Sequence, residues 1–150
     1  MVAKESIDRF LSAGNIAVVG VSRNNKKFGF SAYNTLKTKG FNVFPVNPNT
    51  EIINGDTCYK SLNDIPEKVE SLLVVLPPEK TGDIVKQAFS LNIRNIWLQQ
   101  GAESDETIDF CKDNGIDVVY KQCILMFTEP LSFPHNFHRW VNKITRKLPA

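Results

Sequence analysis

The chain has 150 residues, of which 42% are hydrophobic, and this length and apolar share fit one folded domain and exclude a disordered chain. Its 18 basic and 16 acidic side chains leave a formal net charge of only +2. This near balance argues against a nucleic-acid or membrane partner, so any anion-binding site has to be local.

Apolar runs alternate with amphipathic stretches along the whole chain. A short helix is predicted over residues 6–12. Buried strands are predicted at 16–20, 42–46, 71–76, 95–98 and 116–120. Helices between them are predicted at about 31–39, at 79–91 and from 104 to a stop at 115. This alternation predicts an α/β fold, a doubly wound parallel sheet of about five strands with helices on both faces.

Two segments do not fit the alternation. Residues 49–70 contain Asn54-Gly55, which is typical of a tight turn, and a short capped turn at 61–66. The tail over 133–148 reads as a basic amphipathic helix. We therefore expect a single domain over 1–150, with its core at 14–124 and a C-terminal helical extension.

The loop after the first strand, residues 20–29, carries the most specific local signal. Gly20 allows the backbone to turn tightly after the strand. Phe28 and Gly29 lie near the N-terminus of the next helix, where free N–H groups and the helix dipole favour an anion. Ser22 adds a hydroxyl donor. In parallel sheets ligands bind at this carboxyl edge, so the loop predicts a phosphate site.

Basic residues in the same loop indicate a ligand with more than one phosphate. Arg23, Lys26 and Lys27 are candidates for binding an additional phosphate, on the grounds of charge alone. The alternative interpretation is a solvated basic turn in an ordinary α/β protein. We favour the phosphate site because the cluster falls on the first strand–helix turn.

The loop does not match the common nucleotide fingerprints. A dinucleotide G-x-G-x-x-G motif would place glycines where Ser22 and Asn25 stand. The acidic residue that binds the ribose of NAD is replaced by Asn47-Pro48 after the second strand. A P-loop is excluded because the chain has no G-K-[ST] sequence.

Several short segments together resemble a known family. They lie in order at 16–23, 40–48, 55, 59, 61–66, 97–101 and 115–123. On these segments the chain resembles the stand-alone CoA-binding domain family, which is similar to the CoA-binding domain of the succinyl-CoA synthetase α subunit. The resemblance implies a Rossmann-like fold and coenzyme A as the ligand.

The resemblance also implies where each part of CoA would bind. The loop after the first strand would hold the phosphates, and the loop after the second would lie beside the adenosine. A proline pair would face them across the cleft, and the loop after the fourth strand would line the pantetheine route. The positions expected to contact CoA are Gly20, Val21, Ser22, Arg23, Lys26, Lys27, Phe28, Gly29, Asn47, Pro48, Leu76, Pro77, Pro78, Gln99, Gly101 and Cys123.

The cysteines predict a reducing environment rather than a metal site. Cys58, Cys111 and Cys123 match no zinc or CxxC spacing, and we find no signal peptide or membrane span, which predicts a cytoplasmic location. Cys123 at the ligand edge has two interpretations: a mixed disulfide with the CoA thiol, or a small apolar packing residue, which we favour. Met126 and Phe127 would either cover an apolar ligand arm or fold onto the core.

No catalytic constellation emerges from the strand ends. His135 and His138 lack further ligands for a metal and are interpreted as surface or packing residues. We therefore expect a binding module for CoA or acyl-CoA, with a homo-oligomer or a CoA enzyme as its partner. Two alternatives stay open: an NAD(P)-binding oxidoreductase or redox sensor, and a protein-interaction module with a vestigial nucleotide cleft.

Overall fold

The computed structural model describes residues 4–128. In chain order the elements are α1 (Lys4–Leu11), β1 (Asn15–Val19), α2 (Phe28–Thr38), β2 (Asn42–Val46), β3 (Ile52–Ile53), β4 (Asp56–Thr57), a 3₁₀ turn (Leu62–Asp64), β5 (Ser71–Val74), α3 (Pro78–Ser90), β6 (Asn95–Gln99), α4 (Asp105–Asp113), β7 (Asp117–Gln122) and α5 (Leu125–Thr128).

Five strands form one parallel sheet in the order β2-β1-β5-β6-β7. The chain places β2 on one side of β1 and β5 on the other. The connection after β1 leads to β2 on one side, and the connection after β5 leads to β6 on the other, which opens a crevice at the carboxyl ends of β1 and β5. This switch point is where a sheet of this kind binds ligands.

Side chains of alternate strand positions pack into two separate hydrophobic clusters. On one face, residues such as Leu72 and Ile96 pack against Val85 of α3 and Cys111 of α4. On the other face, Trp97 and its neighbours pack against α1, α2 and α5. Both faces of the strands are covered, which explains why the strands read as continuous apolar runs.

The predicted architecture is confirmed: the protein is an α/β, Rossmann-like, doubly wound parallel sheet of five strands. The small antiparallel hairpin β3–β4 was predicted only as a turn at Asn54-Gly55, both of which adopt positive φ angles. The predicted helix over 133–148, with His135 and His138, lies outside the described residues. Within residues 4–128, none of the helices has the length and apolarity to span a bilayer.

Candidate functional site

Two glycines allow close approach at the carboxyl end of β1. Gly20 has a φ of +105°, and a Cβ there would lie 2.0 Å from the carbonyl oxygen of Val75, which follows β5. A Cβ on Gly29 would lie 2.1 Å from the carbonyl oxygen of Gly20. Any side chain at either position would push these elements apart. The first turn of α2 therefore lies directly against the strand end.

The N-terminus of α2 is free of side-chain caps. Its capping residue, Lys27, makes no capping hydrogen bond, and the first turn contains no acidic residue. The first N–H groups of a helix have no partner inside it and carry partial positive charge. By contrast, Ser104 caps α4 by accepting a hydrogen bond from the Thr107 N–H at 3.2 Å. The start of α2 is therefore suited to an anion.

Side chains within the loop hold its backbone in a compact turn. The Asn24 N–H donates to Ser22 Oγ at 3.0 Å, and the Lys26 N–H donates to Asn24 Oδ1 at 2.9 Å. The Lys27 N–H closes the turn on the Asn24 carbonyl at 3.0 Å. The Ser22 oxygen is used as an acceptor here, which leaves its hydroxyl hydrogen as a donor.

Asn47 joins the loops that follow β1 and β2. Its Nδ2 donates to the Val21 carbonyl at 2.7 Å, and its Oδ1 accepts from the Asn49 N–H at 2.8 Å. Val21 itself is fully buried. With both ends of its amide bonded, Asn47 sets the spacing of the two loops. A carboxylate at this position would have no donor to offer the Val21 carbonyl.

Between these loops lies a polar cleft of about 530 Å³, here called the first cleft. It is lined by Ser22, Arg23, Asn24, Asn47, Asn49 and Thr50. Its hydrogen-bonding groups and its guanidinium suit a phosphate-bearing ligand, since a guanidinium donates in a fork that matches phosphate oxygens.

A second cleft of about 480 Å³ adjoins the first. It is lined by Arg23, Pro48, Asn49, Thr50, Glu51, Ile52 and Lys60. Arg23 lines both clefts. The second cleft combines two cations and one carboxylate with the exposed side chain of Ile52.

The structure brings together part of the predicted set. Ser22, Arg23, Asn47 and Pro48 line the two clefts, whereas Lys26 and Lys27 are exposed beside them and line neither. The half-buried Phe28 packs onto the core next to Gly29. All three basic residues of the loop are exposed, and Arg23 is the one of the three that lines the clefts.

The other predicted positions follow different strands and line neither cleft. Leu76 is half-buried, and Pro77 and Pro78 are exposed at the start of α3. Gly101 is exposed in a turn with a φ of +95°. Their assignment to the CoA site stays a prediction.

Gln99 has a visible structural role. Its side chain is only 7% exposed, and its Oε1 accepts a hydrogen bond from the Ile124 N–H at 3.0 Å. This bond ties the end of β6 to the start of the segment that leads into α5. The predicted role of Gln99 along the pantetheine route stays a prediction. In that role the N–H groups of the side-chain amide would donate to the ligand, because its oxygen already accepts from Ile124.

The cysteines differ in burial and chemistry. Cys58 and Cys111 are buried, in line with the structural role predicted for them, and burial raises the pKa of the Cys111 thiol to about 12. Cys123 is half-buried and unpaired. Whether the CoA thiol reaches it stays a prediction.

The apolar segment after β7 folds onto the core. Phe127 is 2% exposed and its ring meets that of Trp97 edge to face, with centroids 5.3 Å apart. Trp97 is fully buried, as predicted. Of the two alternatives for this segment, Phe127 follows the second and folds onto the core, whereas the Met126 side chain is exposed to solvent.

Sequence reasoning missed several residues that line the clefts. Asn49, Thr50 and Glu51 lie three to five residues beyond the end of β2 at Val46, and the rule that ligands bind beyond strand ends could have found them. Lys60 carries no such signal, since it reaches the cleft through the β3–β4 hairpin and the pairing of Tyr59 with Val46 of β2.

A family model described as a CoA binding domain matches residues 14–129. The chain belongs to the CoA-binding domain family. Coenzyme A is accordingly the ligand of this domain, and the resemblance found in the sequence is confirmed over almost the same range.

Relatives of this CoA-binding domain include subunits of much larger enzymes. The chain is 25% identical over 129 residues to the alpha subunit of acetate–CoA ligase (ADP-forming) II of Pyrococcus furiosus, covering 79% of this chain and 28% of that one. It is 31% identical over 94 residues to acetate–CoA ligase (ADP-forming) II of Archaeoglobus fulgidus, covering 61% and 14%. The domain thus spans less than a third of these ligase chains.

Solved structures of similar size share the fold. A conserved hypothetical protein of Pyrococcus furiosus is 37% identical, with a TM-score of 0.72 over 75% of this chain and 97% of that one. A Thermus thermophilus protein, cell-free ID.343, is 26% identical with a TM-score of 0.76 over 93% and 99%. The CoA-binding domain therefore also occurs as a small protein of its own.

Proposed function

We propose that the protein is a non-catalytic CoA or acyl-CoA binding protein that holds the CoA diphosphate in the first cleft. The observation that carries this proposal is the position of Arg23 and Ser22 in a polar cleft between the loops that follow β1 and β2, at the carboxyl edge of the sheet. The uncapped start of α2 lies against the same strand end and supplies N–H donors for an anion.

The composition of the clefts supports a binding role rather than catalysis. Among the residues that line the two clefts there is no histidine or cysteine, and Glu51 is the one carboxylate. General acid–base or nucleophilic catalysis needs a titratable group paired with a second group that activates or orients it. The linings hold no histidine that could activate the Ser22 hydroxyl and no second carboxylate beside Glu51.

Isothermal titration with CoA, acetyl-CoA, NAD and NADP tests the proposal. We expect CoA to bind and Arg23→Ala to weaken it by about tenfold or more, because a hydrogen bond to a charged group contributes about 1.5–3 kcal/mol. Arg9→Ala is the matched control, since Arg9 pairs with Asp117 at the amino end of β7.

Other results would favour the alternatives. Binding of NADP but not of CoA would support an oxidoreductase or redox sensor. The titration includes NAD because Glu51 provides a carboxylate beyond β2, the kind of group that binds the ribose of NAD. Binding of none of these ligands would support a protein-interaction module with an unused cleft. Unchanged CoA affinity in Arg23→Ala would contradict the assignment of the diphosphate to the first cleft.

A partner enzyme and a cytoplasmic location belong to the same proposal. The similarity to a ligase alpha subunit supports a partner that supplies the chemistry, and the three free thiols support a reducing compartment. Light scattering of the purified full chain measures its mass directly. A single-chain mass would exclude the homo-oligomer and leave the enzyme partner.

A further inference from the structure

We infer that the second cleft is the subsite for the 3′-phosphorylated adenosine of CoA, and that Lys60 together with Arg23 binds the 3′-phosphate. This inference rests on the proposed function, because it presumes that CoA occupies the first cleft. It assigns the discrimination between CoA and its dephosphorylated form to Lys60, a residue outside the basic loop.

Lys60 reaches the cleft through a short backbone connection to the edge of the sheet. Tyr59 forms a parallel bridge with Val46, the last residue of β2. The Tyr59 N–H donates to the Pro45 carbonyl at 2.9 Å, and the Asn47 N–H donates to the Tyr59 carbonyl at 2.9 Å. These two bonds fix the backbone just before Lys60 beside the carboxyl end of β2.

The hairpin supplies the apolar surface of the cleft. Ile52 is 65% exposed, whereas its neighbour Ile53 is 1% exposed and is anchored in the core. An isoleucine held open beside Pro48 offers a surface to a flat apolar ring. An adenine base needs such a surface, and a binding site gains free energy by removing both apolar faces from water.

Charge in the second cleft favours a phosphate over a neutral group. Arg23 and Lys60 contribute two positive charges against the one negative charge of Glu51. Removing Lys60 leaves the cleft without net charge, so the attraction for an additional phosphate depends on this lysine. Arg23, Lys60, Lys26 and Lys27 are all exposed, but Lys26 and Lys27 line neither cleft.

The position of Arg23 matches the chemistry of the ligand. In CoA one ribose carries both the diphosphate and the 3′-phosphate, so the two anionic groups are neighbours. Arg23 lines both clefts and lies between a polar site and a site with a second cation. A dinucleotide such as NAD lacks the 3′-phosphate and gains nothing from Lys60.

The test compares CoA with dephospho-CoA in wild-type protein and in Lys60→Ala. We expect wild type to bind CoA about tenfold more tightly, the effect of one charge-assisted contact. Lys60→Ala should bring the two affinities close to each other, because it should weaken the binding of CoA much more than that of dephospho-CoA. Lys60→Arg should keep most of the discrimination, and added salt should reduce it in wild type.

Two controls separate the possible causes. Lys68→Ala removes the same charge from the segment before β5, at the amino ends of the strands and away from both clefts. This variant should leave the affinities for CoA and dephospho-CoA unchanged. The double variant Lys26→Ala/Lys27→Ala tests the basic loop and should lower both affinities equally or not at all.

The inference and the proposed function fail in different ways. Full discrimination in Lys60→Ala, or its loss in the Lys26/Lys27 double variant, would overturn the assignment of Lys60 while CoA binding stands. Absence of binding for both ligands in wild type would overturn the proposed function itself. Equal affinities for both ligands in wild type would overturn the 3′-phosphate subsite alone.

Discussion

At the residue scale, two glycines determine how closely the elements at the carboxyl edge approach each other. Gly20 faces the Val75 carbonyl, and Gly29 faces the Gly20 carbonyl. Backbone carbonyls cannot move aside as the tip of a flexible side chain can. The requirement at Gly29 is purely one of space, because this residue lies in a helix and its φ is ordinary.

Gly29→Ala should therefore destabilise the protein even though alanine is the better helix former. We expect a loss of about 3 kcal/mol in the free energy of unfolding, since overpacking in a close contact costs about 1–3 kcal/mol or more. The matched control is Gly82→Ala in α3, where the nearest atom to the new Cβ, Thr107 Oγ1, would be 3.6 Å away. That change should stabilise by about 0.5–1 kcal/mol. Urea unfolding measures the change in the free energy of unfolding for both variants. A change in the same direction for both would contradict the steric argument.

The cysteines should differ in reactivity at pH 8. Burial raises the pKa values of the Cys58 and Cys111 thiols, so neither is a thiolate at that pH. Cys123 is half-buried and therefore reachable by solvent. Iodoacetamide treatment of the native protein should label Cys123 first and leave Cys111 unmodified, as read by peptide mass spectrometry. Labelling of Cys111 before unfolding would contradict its burial in the native fold.

At the element scale, the β3–β4 hairpin is held against α2 by a small polar cluster. The Tyr33 hydroxyl and the Lys37 ammonium both donate to Asp56 Oδ2. Tyr33 and Lys37 are four residues apart on α2 and so lie on one face of the helix. The same hairpin carries Ile52 to the second cleft, so this cluster positions one wall of the proposed ligand site.

Tyr33→Phe should loosen this connection without leaving a cavity. Tyr33 is fully buried, and we expect a loss of about 1–2 kcal/mol for a buried hydroxyl that donates to a carboxylate. Thermal unfolding measures the change, and CoA affinity should fall as well if the hairpin forms the cleft wall. A stable variant with full CoA affinity would show that the hairpin does not need this bond.

The same cluster predicts a pH dependence of stability. The Lys37 ammonium and the Tyr33 hydroxyl lower the pKa of Asp56 below its ordinary value of 3.8. Because the folded state favours the carboxylate, this contribution is fully present above about pH 4 and is lost as the pH falls through the lowered pKa. Asp56→Asn should therefore be less stable than wild type at pH 7, and the difference should shrink toward pH 3. Urea unfolding at both pH values checks this, and a constant difference would contradict it.

At the scale of the whole molecule, one sheet separates two hydrophobic clusters that share every strand. Neighbouring positions such as Leu72 and Leu73 of β5 belong to opposite clusters. Neither cluster can be lost without exposing the strands of the other. The two clefts lie at the carboxyl edge of this shared sheet, so a ligand bound there should stabilise the whole unit.

CoA should accordingly raise the midpoint of a single thermal unfolding transition. At a hundred times its dissociation constant a ligand stabilises the folded state by about 2.7 kcal/mol. Differential scanning fluorimetry at equal concentrations should give the largest shift for CoA, a smaller one for dephospho-CoA and the smallest for NAD. Two separate transitions would show that the two faces of the sheet unfold independently.

The parts of the fold that depend on local order are predictable from the sequence. The apolar run at 16–20 and its counterparts predict buried parallel strands because residues on both faces of such a strand avoid water. The strand at Asn42–Val46 agrees to the residue. The Gly20 turn and the edge of the sheet that carries ligands follow from the same alternation, whereas α2 begins at Phe28, three residues before the predicted start at about 31.

The composition of the clefts was decided by the tertiary structure. Lys60 enters the second cleft through the Val46–Tyr59 bridge and the hairpin, and contacts between residues distant in sequence leave no periodic trace. For the same reason charge alone ranked Lys26 and Lys27 with Arg23, although only Arg23 lines the clefts. Local sequence determined which elements of the main sheet form and in what order. The packing of the hairpin on α2 and the pairing of Tyr59 with β2 decided which side chains meet there, because both depend on contacts between residues that are distant in sequence.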